Sequence, residues 1–169
     1  VAVSSTILSG GIGSSSQNDN IYHVLKAVNI SSSTVLDGFT IQRGYAASSG
    51  ADRHGAAILI NNSFGLRIFN STFRSNRADS GDGGAIHITN SADIQFSFCL
   101  FTNNGARGDG GAVYMANSSS NIRFLSCEFS DNESTNEDGG AMAIFGPEIV
   151  TSSCLFIDQS AQRGGAIFM

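Results

Sequence analysis

Three aspartates recur at a spacing that could gather their carboxylates along one edge of the molecule. Asp82, Asp109 and Asp138 each stand directly before a Gly-Gly pair. If the segments that contain them stack as neighbouring strands, the carboxylates lie about 5 Å apart. Such a row suits Ca²⁺, which prefers several carboxylate and carbonyl oxygens, or the acid pair of a polysaccharide hydrolase. We favour a structural interpretation, in which each Asp caps its own Gly turn by hydrogen bonds to backbone N–H groups.

The two outer copies of this pattern change the charge. His54 and Arg163 occupy the slot that Asp fills in the inner copies. We therefore expect positive charge to flank the row and to ease the repulsion between carboxylates.

His54 also ends the longest insertion between repeats, residues 44–54, which supplies a candidate binding site. Tyr45 could stack on a sugar ring, and Arg53 and His54 could contact polar groups, because protruding loops often bind ligands. The alternative is a solvated connection without a ligand. A further histidine, His87, lies inside a strand pattern and is predicted to be a structural or surface residue rather than a ligand.

Cysteines form another periodic set. Cys99, Cys127 and Cys154 each stand two residues before a Phe. Metal binding or a redox relay is one interpretation, but the sequence has neither a CxxC pair nor a His in register with these thiols. The favoured interpretation is an interior row of small apolar thiols.

Two repeated phrases indicate the elements that must position these residues. Gly-Gly-Ala recurs from residues 83, 110, 139 and 164, and Phe-x-x-Asn or its variant recurs from residues 73, 101, 129 and 156. A fixed period is typical of a solenoid. Each period of about 27 residues contains three short apolar strand patterns separated by Asn, Ser and Gly turns, without helical periodicity. We predict an all-β, right-handed parallel β-helix of about five coils.

Stacking predicts ladders of identical side chains. Phe73, Phe101, Phe129 and Phe156 should form an interior aromatic ladder. An amide ladder should satisfy its own hydrogen bonds; its expected members are Asn76, Asn104 and Asn132, with Gln42 and Gln159 at the ends.

The alternating GGA(I/L/V) and FxxN phrases resemble those of the polymorphic outer-membrane proteins of chlamydiae and of related bacterial surface proteins with right-handed β-helix repeats. The resembling motifs span residues 39–169. The resemblance implies export, an autotransporter-like or anchored design, and adhesion to partners. Ala56 in place of the second Gly and Gln159 in place of Asn depart from the pattern.

Composition narrows the function. The net charge is −5 with a single Lys, which disfavours nucleic-acid binding through phosphates. No apolar run approaches the ~18 residues of a membrane span. We expect residues 1–169 to form a single β-helix domain, a fragment of a longer repeat-containing chain.

The favoured function is a non-catalytic structural or interaction module of an extracellular or cell-surface protein, such as an adhesin-like stalk or passenger. Its expected partner is a protein or glycan on another surface, and it needs no cofactor unless the Asp row binds calcium. Two alternatives stay open. One is a subunit of an extracellular filament or large assembly, which self-associates through coil ends or faces. The other is a lyase or hydrolase that acts on acidic polysaccharide.

Overall fold

The computed structural model describes residues 6–12, 20–116, 118–146 and 148–169. Within these residues the chain forms 21 short strands in four parallel sheets, and its one helical segment is the 3₁₀ turn Ala51–Arg53. The chain visits the four sheets in a fixed order, and each circuit adds one strand to each sheet. This arrangement confirms the predicted all-β parallel solenoid of about five coils.

The sheets are numbered in the order in which the chain passes through them from residue 25. Sheet 1 contains β2 (Leu25–Val28), β6 (Ile58–Asn61), β10 (Ile86–Thr89), β14 (Val113–Met115), β18 (Met142–Ile144) and β21 (Ile167–Phe168). Sheet 2 contains β3 (Thr34–Asp37), β7 (Leu66–Phe69), β11 (Ala92–Ser97), β15 (Ser120–Leu125) and β19 (Ile149–Ser152). Sheet 3 contains β1 (Thr6–Ser9), β4 (Phe39–Gln42), β8 (Thr72–Arg74), β12 (Leu100–Thr102), β16 (Glu128–Ser130) and β20 (Leu155–Ile157).

Sheet 4 was not predicted, because its strands are only two residues long. Its members are β5 (Tyr45–Ala46), β9 (Arg77–Ala78), β13 (Gly105–Ala106) and β17 (Glu133–Ser134). Two residues are too few to show the alternation that identifies a strand in a sequence. The four coils that contribute to sheet 4 therefore have four strands each, rather than the three that were expected.

The predicted aromatic ladder lies inside sheet 3. Phe73, Phe101, Phe129 and Phe156 stack in parallel, with successive ring centroids 4.7, 4.6 and 4.9 Å apart. This spacing equals the distance between neighbouring strands, so each ring packs on its copy one coil away. The rings of Phe73, Phe101 and Phe129 are fully buried.

The predicted amide ladder also forms, at the corner between sheets 3 and 4. The Nδ2 group of Asn104 donates to Oδ1 of Asn132 (3.0 Å) and to the carbonyl oxygen of Phe73 (2.9 Å). Its own Oδ1 accepts from the Nδ2 group and from the backbone N–H of Asn76 (3.0 and 3.2 Å). Gln159 continues the ladder as predicted.

The other predicted end of this ladder was wrong. Gln42 pairs in register with Arg74, and Ile41 takes the slot of the Phe ladder. The amide slot above Asn76 falls on Gly44, whose backbone N–H donates to Asn76 Oδ1 (3.0 Å). The alignment slipped by two residues, and such a slip keeps every side chain on the same face of a strand, so the pattern alone does not reveal it.

The Gly-Gly pair turns the chain from sheet 4 into sheet 1, and its two glycines have different roles. Gly83 adopts a φ of +64°, in the left-handed region that glycine tolerates without strain. Gly84 lets two coils approach, because a Cβ there would lie 2.1 Å from the carbonyl oxygen of Gly111. The repeated phrase therefore encodes a corner and a contact between coils.

Candidate functional site

The Asp slot forms a continuous line along the corner between sheets 4 and 1. We call His54, Asp82, Asp109, Asp138 and Arg163 the corner row. The first three side chains each accept a hydrogen bond from the backbone N–H of the next member: His54 Nδ1 from Asp82 (2.9 Å), Asp82 Oδ1 from Asp109 (3.0 Å) and Asp109 Oδ1 from Asp138 (3.0 Å). The carboxylates of Asp82 and Asp109 therefore cap backbone groups of the following coil, rather than of their own turn.

A basic residue lies at each end of the corner row. Arg163 makes a bidentate contact with Asp138, with Nε–Oδ1 and NH2–Oδ2 distances of 2.8 and 2.6 Å. At the other end, His54 Nδ1 lies 3.3 Å from Asp82 Oδ2. These contacts agree with the expectation that His54 and Arg163 occupy the same slot and flank the acids.

The position in the corner row decides how easily each acid ionises. Burial opposes ionisation of Asp82, but the contact with His54 and the hydrogen bond from the N–H of Asp109 outweigh it, so the pKa of Asp82 is below its ordinary value. Asp109 lies between Asp82 and Asp138 in the row. Burial, together with the charges of Asp82 and Asp138, raises its pKa despite the hydrogen bond from the N–H of Asp138.

The predicted calcium site on Asp82, Asp109 and Asp138 stays a prediction. The structure aligns the three carboxylates as expected, but each of them already has a partner. Asp82 and Asp109 accept backbone N–H groups, Asp82 also contacts His54, and Asp138 pairs with Arg163. The described residues bring three metal-ligating groups together at a different point, where the corner row meets sheet 1.

An aromatic stripe runs along the outward face of sheet 1, beside the corner row. It consists of His87, Tyr114, Phe145 and Phe168, with successive ring centroids 4.9, 5.5 and 5.9 Å apart. The rings of His87 and Tyr114 are stacked with an interplanar angle of 8°. Burial, reinforced by the nearby charges of Asp82 and Asp109, raises the pKa of Tyr114.

The corner row and the aromatic stripe meet at both ends. The guanidinium of Arg163, which pairs with Asp138, also lies over the ring of Phe168, 5.2 Å from its centroid. At the opposite end the imidazole of His54 lies against that of His87, with centroids 4.5 Å apart. The two features therefore form one continuous surface.

His54, Asp82 and His87 form a three-residue cluster at this junction, with one ligand atom from each lying within 4.8 Å of the others. His87 points outward from β10, yet it is only 7% exposed. Its Nδ1 is buried and has no hydrogen-bond partner in the described part of the chain. Burial and the proximity of His54 lower the pKa of His87 to about 3, so the imidazole is neutral at ordinary pH.

The insertion that ends at His54 is fastened to the preceding coil. Asp52 contacts Lys26 Nζ (2.6 Å) and His23 Nε2 (3.1 Å), and these hydrogen bonds lower the pKa of Asp52. The other ring nitrogen of His23 lies 3.0 Å from the carbonyl oxygen of Gly55. The position of His54 is therefore fixed on both sides.

The other two candidate binding residues, Tyr45 and Arg53, have different partners. Tyr45 belongs to β5, and its hydroxyl donates to Asp79 Oδ2 (3.1 Å). Arg53 is exposed, and its Nε lies 2.9 Å from His54 Nε2. Of the three predicted binding residues, the structure thus joins Arg53 to His54 and gives Tyr45 a different partner.

The cysteines stack as the favoured interpretation expected. Cys99 and Cys127 are buried, and Cys154 is partly buried. The Sγ atoms of Cys99 and Cys127 each donate to a carbonyl oxygen of the preceding coil, at 3.6 Å. Burial and the neighbouring thiol raise the pKa of Cys127, so its thiol is protonated.

The sequence analysis missed His87 as a candidate ligand. It was assigned a structural role because it lies in a strand pattern, where a His carries no chemical signal by itself. The signal that could have identified it was the stripe, since Tyr114 follows His87 by one period at the same slot. The approach of His54 depends on the path of the insertion, which the repeat does not encode.

The family comparison agrees with the architecture. A family model described as "Right handed beta helix region" matches residues 26–167. No curated protein and no solved structure matches the chain. None of the described residues forms a helix long and apolar enough to cross a membrane.

Proposed function

Because this chain belongs to the family of right-handed β-helix regions, we propose that it is a non-catalytic interaction module of an extracellular or cell-surface protein. The proposed binding surface is the outward face of sheet 1 with the adjoining corner row. The other sheets hold this surface rigid, since the interior ladder residues pack against their copies in neighbouring coils.

The observation that supports this proposal is the aromatic stripe beside the acids. Tyr114 is half-buried, and Phe145 is 36% exposed although it is a large apolar residue. Aromatic faces suit the apolar faces of sugar rings, whereas carboxylates accept hydrogen bonds from hydroxyl groups. A glycan chain is therefore the class of partner that this surface fits best.

The acids support a binding role over a catalytic one. A glycosidase needs one carboxyl group that protonates the leaving group and another that acts as nucleophile or base. Asp82 and Asp138 have oxygens committed to His54 and Arg163, and the acids follow the repeat instead of converging on one groove. The polysaccharide lyase or hydrolase stays an alternative, which product analysis with an acidic polysaccharide would test.

A specific observation favours the assembly subunit as the second candidate. The last coil exposes Val150, Leu155 and Ile157 by 45, 52 and 39%. The preceding coil has Arg123, Glu128 and Ser130 in the same slots. An apolar patch in place of polar residues marks a surface that another protein or another copy would cover.

Binding to an array of neutral and acidic oligosaccharides tests the proposal. We expect Tyr114→Ala and Phe145→Ala to weaken binding at least tenfold, because each removes a ring from the stripe. Phe98→Ala is the matched control, since Phe98 is 66% exposed but lies at the corner between sheets 2 and 3. Equal losses in all three variants, or no glycan bound by the unmodified protein, would contradict the proposed surface.

Cell-surface location is tested separately. An antibody against the folded coils should label intact source cells as strongly as permeabilised cells. Labelling that requires permeabilisation would refute an extracellular location.

A further inference from the structure

We propose that His54, Asp82 and His87 form a binding site for a divalent transition metal of the zinc class. This inference goes beyond the proposed glycan-binding function and does not depend on it. It rests on the geometry of the three side chains and on a buried polar atom that lacks a partner.

The distances fit one metal centre. Zn²⁺ lies about 2.0–2.2 Å from nitrogen and oxygen ligands, so two ligands of a tetrahedral site are about 3.4 Å apart. His54 Nδ1 and Asp82 Oδ2 are 3.3 Å apart. One ring nitrogen of His87 lies within 4.8 Å of a ligand atom of His54 and of a ligand atom of Asp82, so a movement of about one to two ångströms would complete three protein ligands.

The unpartnered nitrogen of His87 supplies a second, independent reason. Buried side-chain nitrogens almost always have a hydrogen-bond partner, and leaving one unpaired costs about 1–3 kcal/mol. His87 is 7% exposed, and its Nδ1 has no partner among the described residues. Histidine ligates metals in its neutral form, so a cation would use the lone pair that is otherwise unused.

The surroundings hold two ligands in place and leave access open. The second carboxylate oxygen of Asp82 accepts the backbone N–H of Asp109 (3.0 Å), an outer contact of the kind that orients ligating groups. The side chains of His54 and Asp82 are 15 and 26% exposed, which gives the ion an entry path. The Arg53 side chain is exposed, so it can move away from His54 Nε2 when the imidazole ligates the metal.

The donor set selects the metal. Two imidazoles with one carboxylate suit Zn²⁺, Co²⁺ or Ni²⁺, whereas Ca²⁺ takes six to eight oxygen ligands. Three protein ligands leave a fourth position for water or for a polar group of a partner. The site is therefore distinct from the calcium site predicted for the three Asp residues alone.

Titration of the metal-free protein with ZnCl₂ and CoCl₂ tests the site. We expect one ion per chain and a visible absorption of bound Co²⁺ typical of four ligands. His87→Gln and Asp82→Asn should each weaken Zn²⁺ binding at least tenfold. Asp109→Asn is the matched control, because Asp109 occupies the same slot one coil away and lies outside the cluster; it should keep the affinity within about twofold.

The outcomes separate the alternatives. Absence of Zn²⁺, Co²⁺ and Ni²⁺ binding would overturn the proposal, as would Zn²⁺ binding that survives both His87→Gln and Asp82→Asn. A Ca²⁺ response that Asp109→Asn abolishes, with no Zn²⁺ response, would assign the metal to the Asp row instead. Circular dichroism of each variant shows whether it is folded, and Arg53→Ala, which should keep or strengthen binding, provides a second measurement at an exposed position. Loss of glycan binding in the stripe variants would not affect this result.

Discussion

The amide ladder and the corner row are both built by stacking one residue type, yet they solve the problem of repetition differently. An Asn side chain is both donor and acceptor, so Asn76, Asn104 and Asn132 satisfy each other inside the molecule, where all three are at most 1% exposed. A carboxylate only accepts. The corner row therefore uses backbone N–H groups as donors and ends on His54 and Arg163.

This difference explains where the molecule has groups that could bind a ligand. A ladder that satisfies itself needs no ligand and can extend over any number of coils. A row of like charges is eased by basic neighbours, and at one end that neighbour is a histidine that also contacts the aromatic stripe. We infer that the reactive groups concentrate where the repeat cannot satisfy itself.

Asn104→Asp would break the comparison most severely, because it places an acceptor-only side chain in the buried ladder. The variant loses the hydrogen bonds that Asn104 Nδ2 donates to Phe73 and Asn132. It also buries either a negative charge or a protonated carboxyl group. We expect a loss of roughly 3–5 kcal/mol in the free energy of unfolding, measured by urea denaturation. Part of the loss should return at acidic pH, where a protonated Asp donates one hydrogen bond; a loss below about 1 kcal/mol would contradict the role of the ladder.

The pH dependence of stability sharpens the comparison, because the Asn side chains of the amide ladder do not ionise, whereas the corner region contains ionisable groups. The pKa of His87 is lowered from 6.5 to about 3, so the unfolded chain binds a proton in this window that the folded chain does not. The contribution of neutral His87 to the free energy of unfolding is fully present above pH 6.5 and is lost as the pH falls towards 3. At about 1.4 kcal/mol per pKa unit, this shift amounts to on the order of 5 kcal/mol in total.

His87→Phe isolates this contribution, since a phenyl ring keeps the stack on Tyr114 and does not ionise. Unfolding of the metal-free variant between pH 7 and 3 should depend less on pH than that of the unmodified protein. The groups that face His87, namely His23, Arg53, His54 and Asp82, remain in both proteins. Identical curves would show that the pKa of His87 is the same in the folded and unfolded states, and would contradict the shift.

The smallest effect is expected for Asp109→Asn, the reverse of the substitution in the amide ladder. The Asn Oδ1 can still accept the N–H of Asp138. Because the pKa of Asp109 is raised, its ionised form opposes folding above that pKa. The variant should therefore be stabilised at neutral pH by up to about 0.5 kcal/mol, as a shift in the midpoint of urea unfolding, and destabilisation by more than 1 kcal/mol would show that the charge itself is required.

The repeated parts of the fold could be predicted because each ladder residue interacts with its own copy. Phe101 contacts Phe73 and Phe129, so spacing alone identifies the contacts. Spacing fails where coils differ in length. Seven residues separate Ala46 from His54, whereas three separate Ala78 from Asp82, and this insertion caused both the misplacement of Gln42 and the missed contact between His54 and His87.

The hydrogen bonds of the amide ladder also bear on how such a chain can evolve. They join residues 28 apart, in neighbouring coils, and the same bond recurs at each step. An in-frame duplication or deletion of one whole coil by unequal crossing-over therefore re-forms every ladder at the new junction. Gene length can change in units of one coil without any compensating mutation, whereas the His54 cluster, which the described residues form in one coil pair only, would be kept or lost as a unit.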